Sequence, residues 1–349
     1  MAVFYEYLWR HTRRAVHLDL RDEALEVALD RLGDCPGGDL QSGFTGIVWA
    51  ESHIRGQPSE LAGDVEFALR ELMRGGVLPV DALGGLSGCG VFALETGRLE
   101  FARAVAEAVA ESAYSEGSYA YWPQRPEQLP ADARSLFPTG YVNCGTAHGT
   151  PGIIAFLSRV RAATKTATLD RVIQGAIRWL IEHELPSGSL SNLPPIVRRE
   201  QCPTQSRLAW CYGDLGAAAV LQPVENDVPV RDFPCFVEQL AVTAADMPTS
   251  RSGVIDHGMC HGALGVVHQF NRLHERSGDG RFLDAAIRWF DIALQMRRPK
   301  AGRSGFFGKD SDRARDAPGL VAGLSGMGLA LLAAIDAEEP QWDRVFFLS

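Results

Sequence analysis

A GxxG segment occurs six times along the 349-residue chain, and each copy opens an apolar, alanine-rich run. The first glycines of the six copies are Gly43, Gly85, Gly149, Gly213, Gly262 and Gly323. They stand 42, 64, 64, 49 and 61 residues apart, so each interval has room for two helices and their connections. Recurrence at such a period is typical of a helical repeat protein, in which each unit is stable only when it packs against its neighbours.

Amphipathic helices are predicted between these segments, because apolar residues recur there at i, i+3 and i+4. The predicted helices span 17–32, 59–74, 98–113, 167–184, 234–246 and 281–297. Strand patterns are nearly absent. The runs that follow GxxG are apolar on most of their surface and must be buried, whereas the amphipathic helices show one face to water. We therefore expect an all-α fold, an α/α toroid in which six to seven helix pairs close into an inner and an outer ring.

The composition is that of a globular protein, with 46% apolar and 22% charged residues, which excludes intrinsic disorder. At about 150 residues per domain the length would allow two domains. Because the repeats are expected to close into a ring, we expect one domain that spans residues 1–349. Residues 1–40 form its N-terminal helical segment, whose boundary the pattern does not fix. Twelve of the 36 glycines belong to the GxxG segments, which accounts for part of the glycine excess.

Charge and hydropathy restrict the expected binding partners and cellular location of the protein. The net charge of −9 argues against a nucleic-acid binder, because phosphate contacts need a basic face. The sequence contains neither a signal peptide nor an apolar stretch long enough to span a membrane. We therefore expect a cytoplasmic protein that meets a membrane only through partners.

The GxxG register also suggests a metal site. In a ring of equivalent repeats, residues at the same offset from GxxG should meet at one end. Cys211 and Cys260 lie two residues before the first glycine of their segments, and His261 lies one residue before it. Two thiolates and an imidazole are a soft donor set suited to zinc, and three protein ligands leave the fourth tetrahedral position open. His257, three residues before Cys260, is a rival ligand or a partner of one.

The remaining cysteines are expected to be packing residues or surface thiols, because a cysteine without a matched register is more often buried core than ligand. They are Cys35, Cys89, Cys144, Cys202 and Cys235. Seven cysteines, an odd number, also argue against a disulfide framework.

Three further residues near the GxxG segments have chemical potential. His148 occupies the His261 offset in another repeat, and it could be a fourth metal ligand, a proton-transfer group or a buried hydrogen-bonded histidine. Asp81 could orient an imidazole or simply cap a helix. Arg207 could stabilise negative charge on a carbonyl oxygen, or be an ordinary structural arginine.

Four segments resemble the signature sequences of the lanthionine synthetase C-like family: SRLAWCYGDLG, MCHGALG, NCGTAHGTPG and DALGGLSGCG. The resemblance runs from about residue 40 to the C-terminus. It implies a toroid of two concentric helix layers, ideally of seven pairs. Since six GxxG units are present, one repeat is either degenerate or assembled from the terminal segments.

The resemblance implies one zinc ion per chain, bound by Cys211, Cys260 and His261, with Tyr212 beside the metal. It implies acid–base or stabilising roles for His148, Asp81 and Arg207. The activity implied is the addition of a peptide cysteine thiol to dehydroalanine or dehydrobutyrine, which forms a thioether ring. The expected partners are a dehydrated precursor peptide with its leader, a separate dehydratase and an export complex. The dehydratase is expected to be a separate protein because no large N-terminal extension is present.

Two other interpretations remain open at this stage. A toroid with a cysteine-containing zinc site also describes protein prenyltransferases, although aromatic residues are only 9% of this chain. A zinc scaffold that binds glutathione or another thiol without turnover is the non-catalytic alternative. The long connections 114–146 and 185–210, the second with Arg198 and Arg199, are either solvated loops or a surface for the leader peptide.

Overall fold

Helices of two kinds alternate along the chain, as the apolar patterning predicts. The structure is a computed structural model, and it describes residues 1–76, 78–129, 131–198, 203–298, 304–308, 318–336 and 338–349. Within these ranges seven helices form an inner ring, in which each contacts the next and the last contacts the first. In ring order they are α1 (Ala2–Thr12), α3 (Phe44–Arg55), α5 (Leu86–Glu95), α8 (Thr150–Thr164), α10 (Asp214–Leu221), α12 (Ala263–Ser277) and α14 (Leu324–Ala333).

The second kind of helix packs against the outside of this ring. In the described part of the chain these outer helices are α2 (Ala15–Asp30), α4 (Ala62–Arg74), α6 (Leu99–Glu111), α9 (Asp170–Glu182), α11 (Phe233–Asp246) and α13 (Gly280–Met296). All six correspond to helices predicted from the sequence, with ends that differ by three residues or fewer. Every residue of α10 is buried, whereas α13 buries only one stripe. The architecture is therefore the expected all-α toroid.

The seventh inner helix comes from the N-terminal segment, which carries no GxxG. Helix α1 lies between α14 and α3 and so closes the ring. It buries Ala2, Val3 and Glu6, and α2 packs along its outer side. The repeat that the sequence left unassigned is thus the α1–α2 pair.

Each GxxG segment begins its helix at the residue after the first glycine. The glycines permit a close approach, because the preceding loop folds back over the first helical turn. A Cβ added at Gly216, for instance, would lie 2.1 Å from the carbonyl oxygen of Trp210. Gly213 has φ 95°, a conformation that residues with a side chain rarely adopt. The segments therefore fix both the start of each inner helix and the path of the loop before it.

Short strands interrupt the helices in the two long connections. They are β1 (Tyr114–Glu116), β2 (Tyr119–Tyr121), β3 (Pro123–Gln124), β4 (Tyr141–Asn143) and β5 (Ile196–Val197). β1 and β2 form an antiparallel hairpin, with Tyr114 opposite Tyr121. β3, β4 and β5 form a three-stranded antiparallel sheet in that order. The connection between β3 and β4 also holds the single-turn helix α7 (Ala131–Arg134).

The C-terminal residues lie inside the inner ring. Trp342, Phe346, Phe347 and Leu348 are each at most 2% exposed. The indole of Trp210 donates a 2.9 Å hydrogen bond to the carbonyl oxygen of Phe346. The C-terminus therefore fills the interior that the helices leave. None of the helices in the described ranges is both long and apolar enough to cross a membrane.

Candidate functional site

The loops that precede the inner helices are joined by backbone hydrogen bonds at equivalent offsets. The amide of Cys260 donates to the carbonyl of Val321 over 3.0 Å, and the amide of Cys211 donates to the carbonyl of Cys260 over 3.4 Å. The amide of Ala147 donates in turn to the carbonyl of Cys211 over 3.4 Å. These bonds hold neighbouring loops in register, so residues that match in offset do meet at one end of the toroid.

At this end three side chains of types that can bind a metal converge. One donor atom each from Cys211, Cys260 and His261 lies within 4.8 Å of the other two. Both cysteines are buried, and the side chain of His261 is 13% exposed. The backbone bond between the two loops places the thiols side by side. The group can hold a metal ion through two sulfur ligands and one nitrogen ligand.

The imidazole of His261 is oriented by a buried carboxylate. Its Nε2 lies 3.3 Å from Oδ2 of Asp256, whose Oδ1 accepts a 2.8 Å hydrogen bond from the amide of Gly258. Within the described residues, the other ring nitrogen, Nδ1, is buried without a hydrogen-bond partner of normal geometry. A histidine that gives one nitrogen to a carboxylate and keeps the other for a metal is the usual arrangement in metal sites. The donor set therefore fits a metal ion bound by Nδ1.

The thiol of Cys211 has its pKa held below the usual range. The hydrogen bond with Cys260 is the largest cause, and His261 and the guanidinium of Arg207, whose Nη2 lies 3.4 Å from Sγ, act in the same direction. In contrast, burial raises the pKa of Cys89 to about 12. Asp256 first, and then Cys211, raise the pKa of His261 to about 9. The cluster thus favours the thiolate form that metals bind, and it releases a proton when the imidazole becomes a ligand.

A histidine–carboxylate pair lies in the two preceding loops. Nδ1 of His148 lies 3.1 Å from Oδ2 of Asp81, while Oδ1 of Asp81 accepts a 2.8 Å hydrogen bond from the amide of Gly84. The carboxylate therefore supports its own loop and orients the imidazole at the same time. Asp81 raises the pKa of His148, chiefly through this hydrogen bond. The His148 side chain is 42% exposed, so a bound molecule can reach it.

Tyr212, next to Cys211, is held by a residue that the sequence did not single out. Nδ2 of Asn143 donates a 2.9 Å hydrogen bond to the hydroxyl of Tyr212, and Oδ1 of Asn143 accepts from the amide of Gly145. Asn143 ends strand β4 and is buried. Burial raises the pKa of Tyr212, so the phenol is neutral at pH 7. The asparagine stands in the NCGTAHGTPG segment, which is the only sequence signal that could have pointed to it.

His257, expected as a rival ligand, is not part of the group formed by Cys211, Cys260 and His261. The imidazole is fully buried, with Nε2 3.0 Å from the carbonyl oxygen of Ala293 and Nδ1 3.2 Å from the amide of Phe307. It therefore ties the 304–308 segment to the end of α13. Cys202 and Arg199, named in the sequence analysis, lie outside the described residues.

The sequence model of the lanthionine synthetase C-like protein family matches residues 1–347. The chain belongs to this family. Among solved structures, this lanthionine synthetase C-like protein is similar to nisin cyclase, with 19% identity over 99% of this chain and 89% of that one, at a TM-score of 0.75. A cellobiose 2-epimerase from Bacillus thermoamylovorans B4167 matches at 12% identity over 96% of this chain and 86% of that one, at a TM-score of 0.49.

Family membership and the all-α toroid, both expected from the sequence, are confirmed. The match also reaches further than the expected start near residue 40, because it begins at residue 1. This agrees with the position of α1 in the inner ring and of α2 against it. The similarity to nisin cyclase shows that the two proteins share a fold.

Proposed function

We propose that this lanthionine synthetase C-like protein is a zinc-dependent lanthipeptide cyclase. In the proposed reaction a cysteine thiol of a peptide adds across the Cα=Cβ bond of dehydroalanine or dehydrobutyrine. The S–Cβ bond forms as the π bond breaks, the thiol proton leaves, and a proton is added at Cα. The observation that carries the proposal is the cluster of Cys211, Cys260 and His261 beside the His148–Asp81 pair, since the reaction needs a site for a thiolate and a source of a proton.

The ligands of the metal would be Cys211, Cys260 and His261, with one zinc ion per chain. Three protein ligands leave the fourth coordination position for the substrate, as in catalytic zinc sites. A zinc ion held there would keep the substrate thiol deprotonated at neutral pH, where a free thiol with a pKa of about 8.5 is mostly protonated. Asp256 would keep His261 in the orientation that leaves Nδ1 available.

Arg207 is the group placed to oppose negative charge. Addition of sulfur to the dehydro residue moves electron density onto the neighbouring carbonyl oxygen. The guanidinium carries a positive charge and lies in contact with the sulfur of Cys211. A donor fixed in this position would stabilise the developing oxyanion more strongly than mobile water.

His148 is the proposed proton donor at Cα. Asp81 raises its pKa, so more of the imidazole carries a proton near neutral pH than in a free histidine. The same carboxylate holds Nδ1, which leaves Nε2 to face the substrate. General acid catalysis by a positioned imidazole typically contributes about 10² to 10⁴ in rate. The neutral phenol of Tyr212, fixed by Asn143, would position the peptide next to the metal.

The substrate proposed from this chemistry is a dehydrated precursor peptide with its leader. Because the addition consumes an alkene, a dehydratase must act on serine or threonine residues first, and we assign that step to a separate protein. The similarity in fold to nisin cyclase supports a peptide-cyclising role. We place the reaction in the cytoplasm, with an export complex acting on the product.

The test is incubation of the purified protein with a dehydrated cysteine-containing peptide, followed by alkylation of free thiols and mass spectrometry. Ring formation removes one reactive thiol per ring and leaves the peptide mass unchanged. In D2O each ring should also gain one carbon-bound deuterium at Cα. His148→Ala should lower the rate by at least about 100-fold while the metal content stays unchanged.

A thiol-binding scaffold would give a different result. The peptide or glutathione would bind, yet all thiols would remain reactive and no deuterium would enter carbon. Cys211→Ala should lose the metal and the activity together. Full ring formation by that variant would contradict the proposed ligand set, and transfer of an isoprenoid in place of ring closure would favour the prenyltransferase alternative.

A further inference from the structure

In the described part of the chain, the outer ring is one helix short of the inner ring. No outer helix covers the contact between α14 and α1 among the described residues. A groove of about 520 Å³ lies there, with walls from α1, α12, α13 and α14. We call it the α13–α14 groove and define it by these apolar lining residues: Leu8, Val267, Leu283, Ile287, Leu331 and Ile335. The groove therefore lies where a seventh outer helix would pack.

Helix α13 presents to this groove the pattern that one helix offers to another. Leu283, Ile287 and Phe290 line the groove, and Leu294 continues their row by one turn. The four follow one another at intervals of four, three and four residues, which is the spacing of a helix–helix seam. Leu283, Ile287 and Leu294 are 38%, 53% and 42% exposed, and Ile335 on the opposite wall is 66% exposed. Exposed apolar residues scattered singly are ordinary, but a continuous seam of them marks an interaction site. The stripe spans about three helical turns.

The negative charge at the edge of the groove indicates what kind of helix could bind there. Asp284 and Asp291 each follow a residue of the stripe and are exposed at its solvent side. Arg288, between them in sequence, turns towards α11, where its guanidinium donates a 2.6 Å hydrogen bond to the carbonyl oxygen of Ala245. Neither carboxylate has an ion-pair partner within the described residues. Antiparallel pairing of two copies through α13 would bring these acidic residues together, which is unfavourable. A helix with lysine or arginine beside its apolar stripe would instead neutralise them, and the net charge of −9 would attract it.

From these observations we propose that the α13–α14 groove docks a basic amphipathic helix of another protein, which completes the outer ring. The apolar stripe of that helix packs between α13 and α14, and its basic residues face Asp284 and Asp291. None of the groove residues belongs to the metal cluster or to the His148–Asp81 pair. The inference is therefore independent of the proposed cyclase activity.

The probes for this surface are three fluorescein-labelled synthetic peptides of about 15 residues, a length at which helices begin to be stable in water. The first has a leucine stripe at three- and four-residue spacing with lysine flanks. The second keeps the stripe and replaces lysine by glutamate. The third has the composition of the first in scrambled order, which controls for net charge. Fluorescence anisotropy should show that the first binds most tightly and that the scrambled peptide binds at least about tenfold more weakly, a difference of about 1.4 kcal/mol.

Two matched variants of the full chain locate the binding. Ile287→Glu places a charge in the stripe and should weaken binding of the lysine peptide at least tenfold. Phe67→Glu changes an apolar side chain on α4 that is 68% exposed and should leave binding unchanged. The double variant Asp284→Asn/Asp291→Asn should reduce affinity for the lysine peptide by about 1.4- to 5-fold per lost charge pair. All these side chains are exposed, and circular dichroism verifies that each variant is folded.

Several outcomes would overturn the proposal. Equal binding of the scrambled peptide, or unchanged binding by Ile287→Glu, would show that the groove does not recognise a helix. Tighter binding of the glutamate peptide would contradict the charge argument. Light scattering that shows a wild-type dimer, converted to a monomer by Ile287→Glu, would identify a second copy of this chain as the occupant instead.

Discussion

Gly216→Ala is the substitution that most closely links the fold to the proposed metal site. Gly216 is the second glycine of its GxxG segment and lies in the first turn of α10, with the loop that carries Cys211 folded over it. An added Cβ would lie 2.1 Å from the carbonyl oxygen of Trp210 and 2.8 Å from that of Ala209. Both are backbone atoms, so no side-chain rotation can relieve the contact.

The size of the effect follows from these distances. Contacts of a Cβ below 3.0 Å are essentially never observed, so the Trp210 carbonyl must retreat by about 0.9 Å, and Cys211 is the next residue. Overpacking of this kind costs roughly 1–3 kcal/mol, which outweighs the gain of up to about 1 kcal/mol for alanine over glycine in a helix. Metal sites require ligand positions within about 0.2 Å, so zinc affinity should fall at least about tenfold.

Thermal unfolding in the presence of a chelator measures the stability of the metal-free fold, and competition with a chromophoric chelator measures zinc affinity. The control is Gly280→Ala, at the start of α13, where an added Cβ has nothing within 4 Å. That variant should unfold at the wild-type temperature or slightly above it, because alanine reduces the freedom of the unfolded chain. Its zinc affinity should not change.

We expect Gly216→Ala to lower the unfolding temperature by several degrees and to weaken zinc binding together with it. Wild-type values for both quantities would show that the close approach of the Cys211 loop does not depend on the glycine. A lower unfolding temperature with unchanged zinc affinity would show that the loop and the helix start are not coupled.

Three further predictions concern single side chains. Asp256→Asn should weaken zinc binding about 10- to 100-fold in the chelator competition, because His261 loses the carboxylate that orients it, and unchanged affinity would contradict this role. Asp81→Asn should move the alkaline decline of ring formation to lower pH. Asp81 raises the pKa of His148, so their contact stabilises the fold below the unfolded-state pKa of about 6.5, and this stabilisation is lost as pH rises through the folded-state pKa. Denaturant titrations should therefore show that the variant is destabilised at pH 5 and little changed at pH 9. His257→Ala should lower the free energy of unfolding by about 1–3 kcal/mol, because the hydrogen bonds of the imidazole are lost. The variant should still bind one zinc ion per chain, as the wild type does, and loss of the metal would identify His257 as a ligand.

The toroid was predictable because its two determinants are periodic. Apolar spacing marks the outer helices, and GxxG marks the starts of six inner ones. The offset from GxxG also placed Cys211 near Cys260, since backbone hydrogen bonds keep the loops in register. Helix α1 has no GxxG, and its place in the ring follows from packing against α14 and α3, which no local pattern encodes.

The parts of the candidate site that the sequence did not reveal depend on side-chain contacts without a period. Asn143 meets Tyr212 from 69 residues away, and Asp256 meets His261 through a loop whose path the sequence does not specify. The role of the GxxG glycines is likewise local, because they make room for the carbonyl groups of the preceding loop.

The most direct test of the account compares ring formation by one preparation before zinc removal, after zinc removal and after zinc is restored. The substrate is a dehydrated peptide with a single cysteine, and the measured quantity is the fraction of thiols that escape alkylation at unchanged peptide mass. We predict ring formation with one zinc ion per chain, its loss without zinc, and its recovery when zinc is returned. Equal ring formation by the zinc-free protein, or none by the fully loaded protein, would contradict zinc-dependent cyclisation.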